Sequence, residues 1–139
     1  MTGDALNEAC AVVAAYLDRA MVPDPEGAAA YLAPDVQITF TGGRSFATAG
    51  EVAGFNAKRY AWVKKQVGQS HAAQNPQTGD VHVYNTGTLY GAWPDGTRFE
   101  GNRYIDTFVV RAGLIIETQV WNDSAEWLLS RAGLAEAPL

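Results

Sequence analysis

The segment from Arg103 to Asp123, RYIDTFVVRAGLIIETQVWND, constrains the fold more than any other part of the chain. Its first half repeats with a period of two, which is typical of a β-strand, and puts Tyr104, Asp106 and Phe108 on one face. A break at residues 112–113 is followed by apolar and β-branched residues over 114–120. The segment therefore predicts two antiparallel strands joined by a tight turn.

A carboxylate in the middle of the first of these strands is chemically unusual. Asp106 lies among apolar and aromatic residues, and burying a charge is unfavourable unless it is paired or neutralised. Asp106 is therefore either on a wet face or beside a cavity that uses a carboxyl group. The second interpretation makes it the first candidate for a functional residue.

Length and charge narrow the classes of protein to consider. A chain of 139 residues predicts one domain over 1–139 with a real core. A net charge of −5 argues against nucleic-acid binding, and we interpret the basic residues Lys58, Arg59, Lys64 and Lys65 as one solvated helix face. The single cysteine, Cys10, excludes an internal disulfide. Because we find neither an apolar run long enough to span a membrane nor a signal peptide, we expect a cytoplasmic protein that does not bind membranes.

The remaining elements follow from periodicity and capping signals. We predict helices over residues 5–21, 26–32 and 49–67, the last opened by a Thr48–Glu51 capping box. Strands are predicted over 36–40, 70–77, 80–93, 97–111 and 114–123, and residues 124–131 are predicted to form a short closing helix or a tail. Helices followed by antiparallel strands indicate an α+β fold. Gly87 and Gly91 suggest bends in a strongly curved, cone-shaped sheet, with about three N-terminal helices on its concave face and a cavity between.

The segments YLAPDVQITF (31–40) and 103–123 resemble the nuclear transport factor 2-like superfamily, in particular its SnoaL-like and ketosteroid-isomerase-like branch. The resemblance covers about residues 4–128 and implies a cystatin-like α+β roll. It also implies that Tyr16, 24 positions before Phe40, is similar to the tyrosine of an oxyanion hole, and that Asp106 matches the acid that supplies the second donor. Phe40 stands where the isomerases have their general base, and Asn56 stands where a second tyrosine would support the first. These departures argue against steroid isomerisation.

The directions of His82 and Tyr84 depend on the loop at Pro94–Gly96. A three-residue loop with a bulge places Tyr84 opposite Asp106 and turns His82 to the same face, where it would replace the missing base. A two-residue loop places Asn85 opposite Asp106 and turns His82 outward, as a surface or interface histidine. We favour the first arrangement because of the Pro-Asp-Gly sequence.

The second hairpin, read in the same way, pairs residue 110 with 114 and places Thr118 opposite Asp106. Ile116, Val120 and Asn122 then share the cavity face, where Asn122 either orients a ligand or caps the end of the sheet. The predicted ligand-binding residues are Phe40, Phe55, Trp62, Tyr84, Phe108 and Asn122. No metal site is predicted, because the two histidines and one cysteine match no ligand spacing.

Two functions from different classes remain. The first is a cofactor-free acid–base enzyme (a cyclase, dehydratase or isomerase) acting on a small apolar carbonyl compound, with Asp106, Tyr16 and His82 as catalytic residues. The second is a non-catalytic module that binds a small apolar ligand or acts mainly as a dimer. The outer sheet face would show the apolar residues Ile105, Thr107, Val109, Ile115 and Trp121, which predicts a homodimer through that face.

Overall fold

A computed structural model describes residues 2–137 of the chain. The helices are α1 (Thr2–Ala20), α2 (Pro25–Ala29), α3 (Ala49–Arg59) and α4 (Ser124–Arg131). The strands are β1 (Leu32–Phe40), β2 (Arg44–Phe46), β3 (Trp62–Gln74), β4 (Val81–Ala92), β5 (Arg98–Arg111) and β6 (Leu114–Asn122). A single 3₁₀ turn, Thr41–Gly43, joins β1 to β2.

The six strands form one sheet in the order β2-β1-β6-β5-β4-β3. The β1–β6 pair is parallel and the other pairs are antiparallel. The sheet is curved but not closed, with helices on one face, so the predicted α+β class is confirmed. Two hydrophobic clusters fill the fold. One packs α1 and α2 against the sheet, and the other stacks aromatic rings, including Trp93 on Phe99 with centroids 4.4 Å apart, beneath α4.

Close approach of β3 and β4 requires glycine at two positions. A Cβ atom built on Gly87 would lie 2.1 Å from the Gln66 carbonyl oxygen, and one on Gly91 would lie 2.2 Å from the Trp62 carbonyl oxygen. The register of β3 against β4 and of β4 against β5 also shifts near these glycines, as β-bulges do. The bends predicted from Gly87 and Gly91 therefore have a steric basis.

The third helix ends at Arg59 rather than near residue 67, so this part of the prediction was wrong. Tyr60 adopts extended backbone angles (φ −126°, ψ 143°) and its ring is buried against Trp93. The Ala61 amide then donates to the Ala92 carbonyl at 2.8 Å, which starts the pairing of β3 with β4. Tertiary pairing overrides the helical pattern, and Lys64 and Lys65 lie on the edge strand of the sheet instead of on a helix face.

The predicted three-residue loop at Pro94–Gly96 forms, since the Trp93 amide donates to the Thr97 carbonyl at 2.9 Å. The register derived from it is nevertheless wrong further along the strands. A bulge lies between the Leu89–Asn102 and Gly91–Phe99 pairs, where Gly101 takes a positive φ of 73° that favours glycine. The extra residue moves the pairing by one, so Asn85 rather than Tyr84 lies opposite Asp106.

The second hairpin departs from its predicted register twice. Arg111 pairs with Leu114 around a two-residue turn, and a second irregularity at Ile116 shifts the pairing by one more residue. Val120 therefore lies opposite Asp106 and Thr118 opposite Phe108. Because the two shifts sum to an even number, Thr118 and Val120 stay on the predicted face.

Ile115 was assigned to the outer face and is wholly buried against the core instead. The bulge beside it is the reason, because it separates the inward Val110–Ile115 pair from the outward Val109–Glu117 pair.

Gly91→Ala tests the steric origin of the bend. The added methyl group meets a carbonyl oxygen at 2.2 Å, and relieving such overpacking should lower the free energy of unfolding by about 1–3 kcal/mol. Gly54→Ala on α3 is the matched control, because no atom lies within 4 Å of a Cβ built at that position and alanine favours helix by up to about 1 kcal/mol. Urea denaturation measures both. Equal stability of the two variants would show that the strands do not need the close approach.

Candidate functional site

A cavity of about 220 Å³ lies between the helices and the sheet. Its walls are mostly apolar and include Phe40, Val52, Trp62, Phe108 and Val120. The lining side chains that carry polar groups are Tyr16, Asn56, Tyr60, Lys64, Lys65, Asp106 and Thr118. A concave apolar site with a few converging polar groups is typical of a small-molecule site, and this one is small for that class.

Asp106 projects into this region from the middle of β5 and is only 1% exposed. Its Oδ2 atom accepts a hydrogen bond from the Lys65 ammonium, with which it forms a salt bridge. Within residues 2–137 its other oxygen, Oδ1, is buried and has no hydrogen-bond partner. One oxygen of the carboxyl group is therefore fully committed and the other is left for a ligand or a proton.

Lys65 reaches the carboxylate from the edge strand β3. Its side chain is 13% exposed, and its Nζ also lies 4.6 Å from the centroid of the Tyr104 ring. A desolvated ammonium over an aromatic face gains a cation–π attraction in addition to the ion pair. The ammonium is thus held from two sides, by Asp106 and by Tyr104.

Burial raises the pKa of Asp106, and the neighbouring Lys65 charge opposes the rise without cancelling it. The direction follows from complete desolvation of a carboxyl group with a single cationic partner. Asp106 consequently holds a proton more tightly than an ordinary aspartate does. A carboxylate with a raised pKa is a better base near neutral pH than an exposed one.

Tyr16 projects from α1 and is 5% exposed. Its ring packs edge-on against Phe108, with centroids 6.1 Å apart. Burial, and then the negative charge of Asp106, raise the pKa of the Tyr16 phenol to about 12. The phenol therefore stays protonated at neutral pH and is available as a hydrogen-bond donor in the cavity.

Most of the predicted walls lie around the cavity. Phe40, Trp62 and Phe108 line it, and Trp62, 38% exposed, stands at its rim. Within residues 2–137, Phe55 does not line the cavity. It supports Phe40 from behind, with ring centroids 5.6 Å apart, and lies under the Arg59 guanidinium.

Three predicted site residues lie elsewhere. The bulge at Gly101 turns His82 and Tyr84 to the outer face of the sheet, opposite Val109 and Thr107, and Tyr84 is 40% exposed. His82 is therefore not placed to act as the base in this cavity.

Asn122 accepts a hydrogen bond from the Ser124 amide at 3.1 Å, which places it at the start of α4 rather than in the cavity lining. Of the two roles weighed for it, the geometry matches the one at the end of the sheet.

Sequence reasoning missed Lys65. It was assigned to a solvated helix face because the capping box at Thr48 predicted a long helix. The signal that could have found it is Asp106 itself, because a buried carboxyl group is either protonated or paired with a cation. Only the pairing of β3 with β4 shows which of the ten basic residues supplies it.

Two further observations concern residues 2–137 only. No group of three or more metal-ligating side chains is found among them, and no helix in that range combines the length and apolar character needed to cross a membrane.

Comparison with known proteins identifies the fold. No family model matches the sequence, and no curated protein matches it. Among solved structures, an NTF2-like protein of unknown function from Burkholderia pseudomallei is similar, with 18% identity, a TM-score of 0.71 and coverage of 94% of this chain and 98% of that one. A candidate SnoaL-like polyketide cyclase from Jannaschia sp. CCS1 shares 18% identity, a TM-score of 0.67 and coverage of 96% and 94%.

A third similar structure is TerC crystallised with polyporic acid, with 14% identity, a TM-score of 0.70 and coverage of 87% and 95%. The chain therefore has the nuclear transport factor 2-like fold, and the predicted resemblance is confirmed at the level of the fold. At these identities the comparisons identify no activity.

A carboxyl-carbon NMR titration of Asp106 should give a midpoint above the ordinary aspartate value of about 3.9. A raised pKa in the folded state means that the folded state binds the proton more tightly. This group then adds stability that is complete below the unfolded pKa and is lost as the pH rises through the folded pKa. Asp106→Asn should fold and lack this dependence in thermal melts. A midpoint at or below about 3.9 would contradict the desolvated environment described here.

Removing the cation should destabilise the fold. Lys65→Met leaves a buried carboxylate without a partner, and breaking such a pair typically lowers the free energy of unfolding by roughly 3–5 kcal/mol at pH 7. The double variant Lys65→Met/Asp106→Leu should recover most of that loss, because no charge remains buried. Lys58→Met on the exposed surface of α3 is the matched control and should change stability by less than about 0.5 kcal/mol. Urea denaturation distinguishes the three variants, and equal stability of the two single variants would contradict a buried pair.

Proposed function

We propose that this protein is a small-molecule pocket protein that works as a cofactor-free acid–base enzyme (a cyclase, dehydratase or isomerase) on a small apolar carbonyl compound. The observation that carries the proposal is the pair formed by Asp106 and Lys65 in an apolar cavity. A buried pair that holds an acid and a base side by side is expensive as a purely structural device and useful for moving a proton.

The roles differ from those expected before the structure. Asp106 is the proton-transferring group, since its raised pKa suits a base and its Oδ1 atom has no partner within residues 2–137. Lys65 holds Oδ2 and stabilises the negative charge on the carboxylate or on a substrate oxygen. Tyr16 donates a hydrogen bond to the carbonyl oxygen as charge develops there. Asp106 thus takes the role of base that Phe40 and His82 do not fill.

Such a site suits enolisation. A carbonyl compound bound with its oxygen near Tyr16 and Lys65 would lose an α-proton to the Asp106 carboxylate and form an enolate. The electron pair of the broken C–H bond forms the carbon–carbon double bond of the enolate, and the π pair of the carbonyl group moves to its oxygen. The same carboxyl group can return the proton to another carbon. For carbonyl compounds, double-bond isomerisation, aldol-type cyclisation and loss of a β-hydroxyl group can each start from such an enolate. The similar structures include a candidate polyketide cyclase and a protein crystallised with polyporic acid.

The non-catalytic alternative has one observation in its favour. Phe40 lines the cavity and packs against Phe46 and Phe55, with centroids 5.5 and 5.6 Å away, so the position of the isomerase base forms part of an aromatic wall. An apolar wall contributes to binding and not to proton transfer.

Proton exchange separates the two proposals without knowledge of the natural substrate. The protein is incubated in D₂O with enolisable ketones of the size of cyclohexanone, and loss of the α-proton signals is followed by NMR. We expect the wild type to accelerate exchange and Asp106→Asn to remove most of the acceleration while ketone binding, followed by chemical shifts, persists. His82→Asn is the matched control and should leave the rate unchanged. Binding without accelerated exchange would support the non-catalytic alternative.

We also propose that the protein forms a homodimer through the outer face of the sheet. Tyr84, Ile105 and Trp121 on that face are 40%, 37% and 49% exposed, and Ile105 and Trp121 are direct neighbours across β5 and β6. Exposed aromatic and aliphatic side chains grouped on one face of the sheet favour a self-complementary contact.

Light scattering at micromolar concentration tests the dimer. Trp121→Glu should convert the dimer to a monomer, because a carboxylate would be buried at the contact. Leu134→Glu, at a 75% exposed position beyond α4, is the control and should leave the mass unchanged. A monomeric wild type would contradict this proposal.

A further inference from the structure

A groove between the end of α1 and the edge strand β3 adjoins the cavity. Five residues line both spaces, namely Leu17, Met21, Val22, Lys64 and Lys65. The groove and the cavity therefore share a border, and Lys64 lies on it. This position follows from the early end of α3, which puts Lys64 on the strand.

The two lysines at this place differ in their partners. The Lys65 charge is neutralised by Asp106. The Lys64 ammonium donates to the Met21 carbonyl oxygen at 2.7 Å, and within residues 2–137 no carboxylate oxygen lies within 4 Å of it. An ammonium can donate three hydrogen bonds, so two donors and a full positive charge remain for another group.

The charged side chains around the cavity sum to a positive value. Lys64, Lys65 and Asp106 are its charged lining residues, which gives +1 with the carboxyl group ionised. The chain as a whole carries −5, so this place is opposite in sign to the rest of the molecule. Asp18 also borders the groove, but its side chain is exposed to water, whose high dielectric constant weakens its field at the cavity.

We propose that the ligand of this cavity is a small monoanion of the carboxylate class, with its charged group held by Lys64 where the cavity borders the groove and its apolar body directed toward Asp106. This inference shares with the proposed function only the cavity in which the ligand binds, and it does not require that the ligand reacts there. A cavity of about 220 Å³ with apolar walls accommodates a single-ring acid. The one negative charge of such a ligand matches the one uncompensated positive charge of the lining.

Lys64 could instead serve only to tie β3 to the end of α1 through Met21. Lys64→Gln separates these roles, because a glutamine side chain can still donate to the Met21 carbonyl but carries no charge. Lys64→Arg keeps both. Lys58→Gln removes one positive charge from the exposed surface of α3 and reports the effect of net charge alone.

The experiment compares benzoate with its neutral isostere benzamide by calorimetry at low salt and neutral pH. We expect the wild type to bind benzoate about tenfold more tightly than benzamide, as one partly screened charge pair provides. Lys64→Gln should make the two affinities equal, Lys64→Arg should restore the preference, and Lys58→Gln should match the wild type.

Three results would overturn the inference: equal affinities in the wild type, a benzoate preference that survives in Lys64→Gln, or no binding of benzoate at millimolar concentration. Ketone exchange provides the independent readout. Accelerated exchange without a benzoate preference would reject the anion site and leave the acid–base function standing. A Lys64-dependent benzoate preference without exchange would do the reverse.

Discussion

A fully buried Asp106 can remain ionised only beside a cation, and the rest of the site depends on how the fold places one there. Lys65 on β3 lies opposite Leu89 on β4, and Leu89 lies opposite Asn102 on β5. Asn102 is four residues along β5 from Asp106. In a flat sheet two strand spacings and four residues would separate the two backbones by roughly 16 Å, beyond the reach of both side chains together. The contact exists because the sheet bends and twists. Gly87 and Gly91 let β4 approach β3 closely on either side of Lys65.

The same interaction links stability and chemistry. A buried ion pair contributes little net stability compared with apolar residues, so its presence in the cavity argues only weakly for a structural purpose. Complete burial raises the pKa of Asp106 even beside Lys65, and burial together with the Asp106 charge keeps Tyr16 protonated. The same apolar cavity with few charges thus makes Asp106 a base and keeps Tyr16 a neutral hydrogen-bond donor, with well-separated pKa values.

Whether the register shifts by an odd or an even number of residues decides which side chains face the cavity. In β4 and β5 one bulge at Gly101 shifts the register by a single residue, and His82 and Tyr84 turn outward. In β5 and β6 the turn and the bulge each shift it by one, so Thr118 and Val120 keep their side. An odd number of extra residues turns every side chain beyond it to the opposite face of the sheet. An even number keeps each side chain on its face and changes only the residue that it lies opposite on the next strand.

By itself the sequence determined the α+β class, most of the strands, and the apolar walls Phe40 and Phe108, since local periodicity and composition encode these features. It left open whether Asp106 is buried or faces water. The tertiary structure alone decided where α3 ends, which lysine meets Asp106, and which way His82 points. Each of these depends on contacts between segments far apart in the chain, such as Tyr60 with Trp93 and Lys65 with Asp106. A local sequence pattern does not show whether a helical turn or a pairing with a strand about thirty residues away is more stable. A single bulge turns the side chains of a strand to the other face, although the alternation of apolar and polar residues in the sequence stays the same.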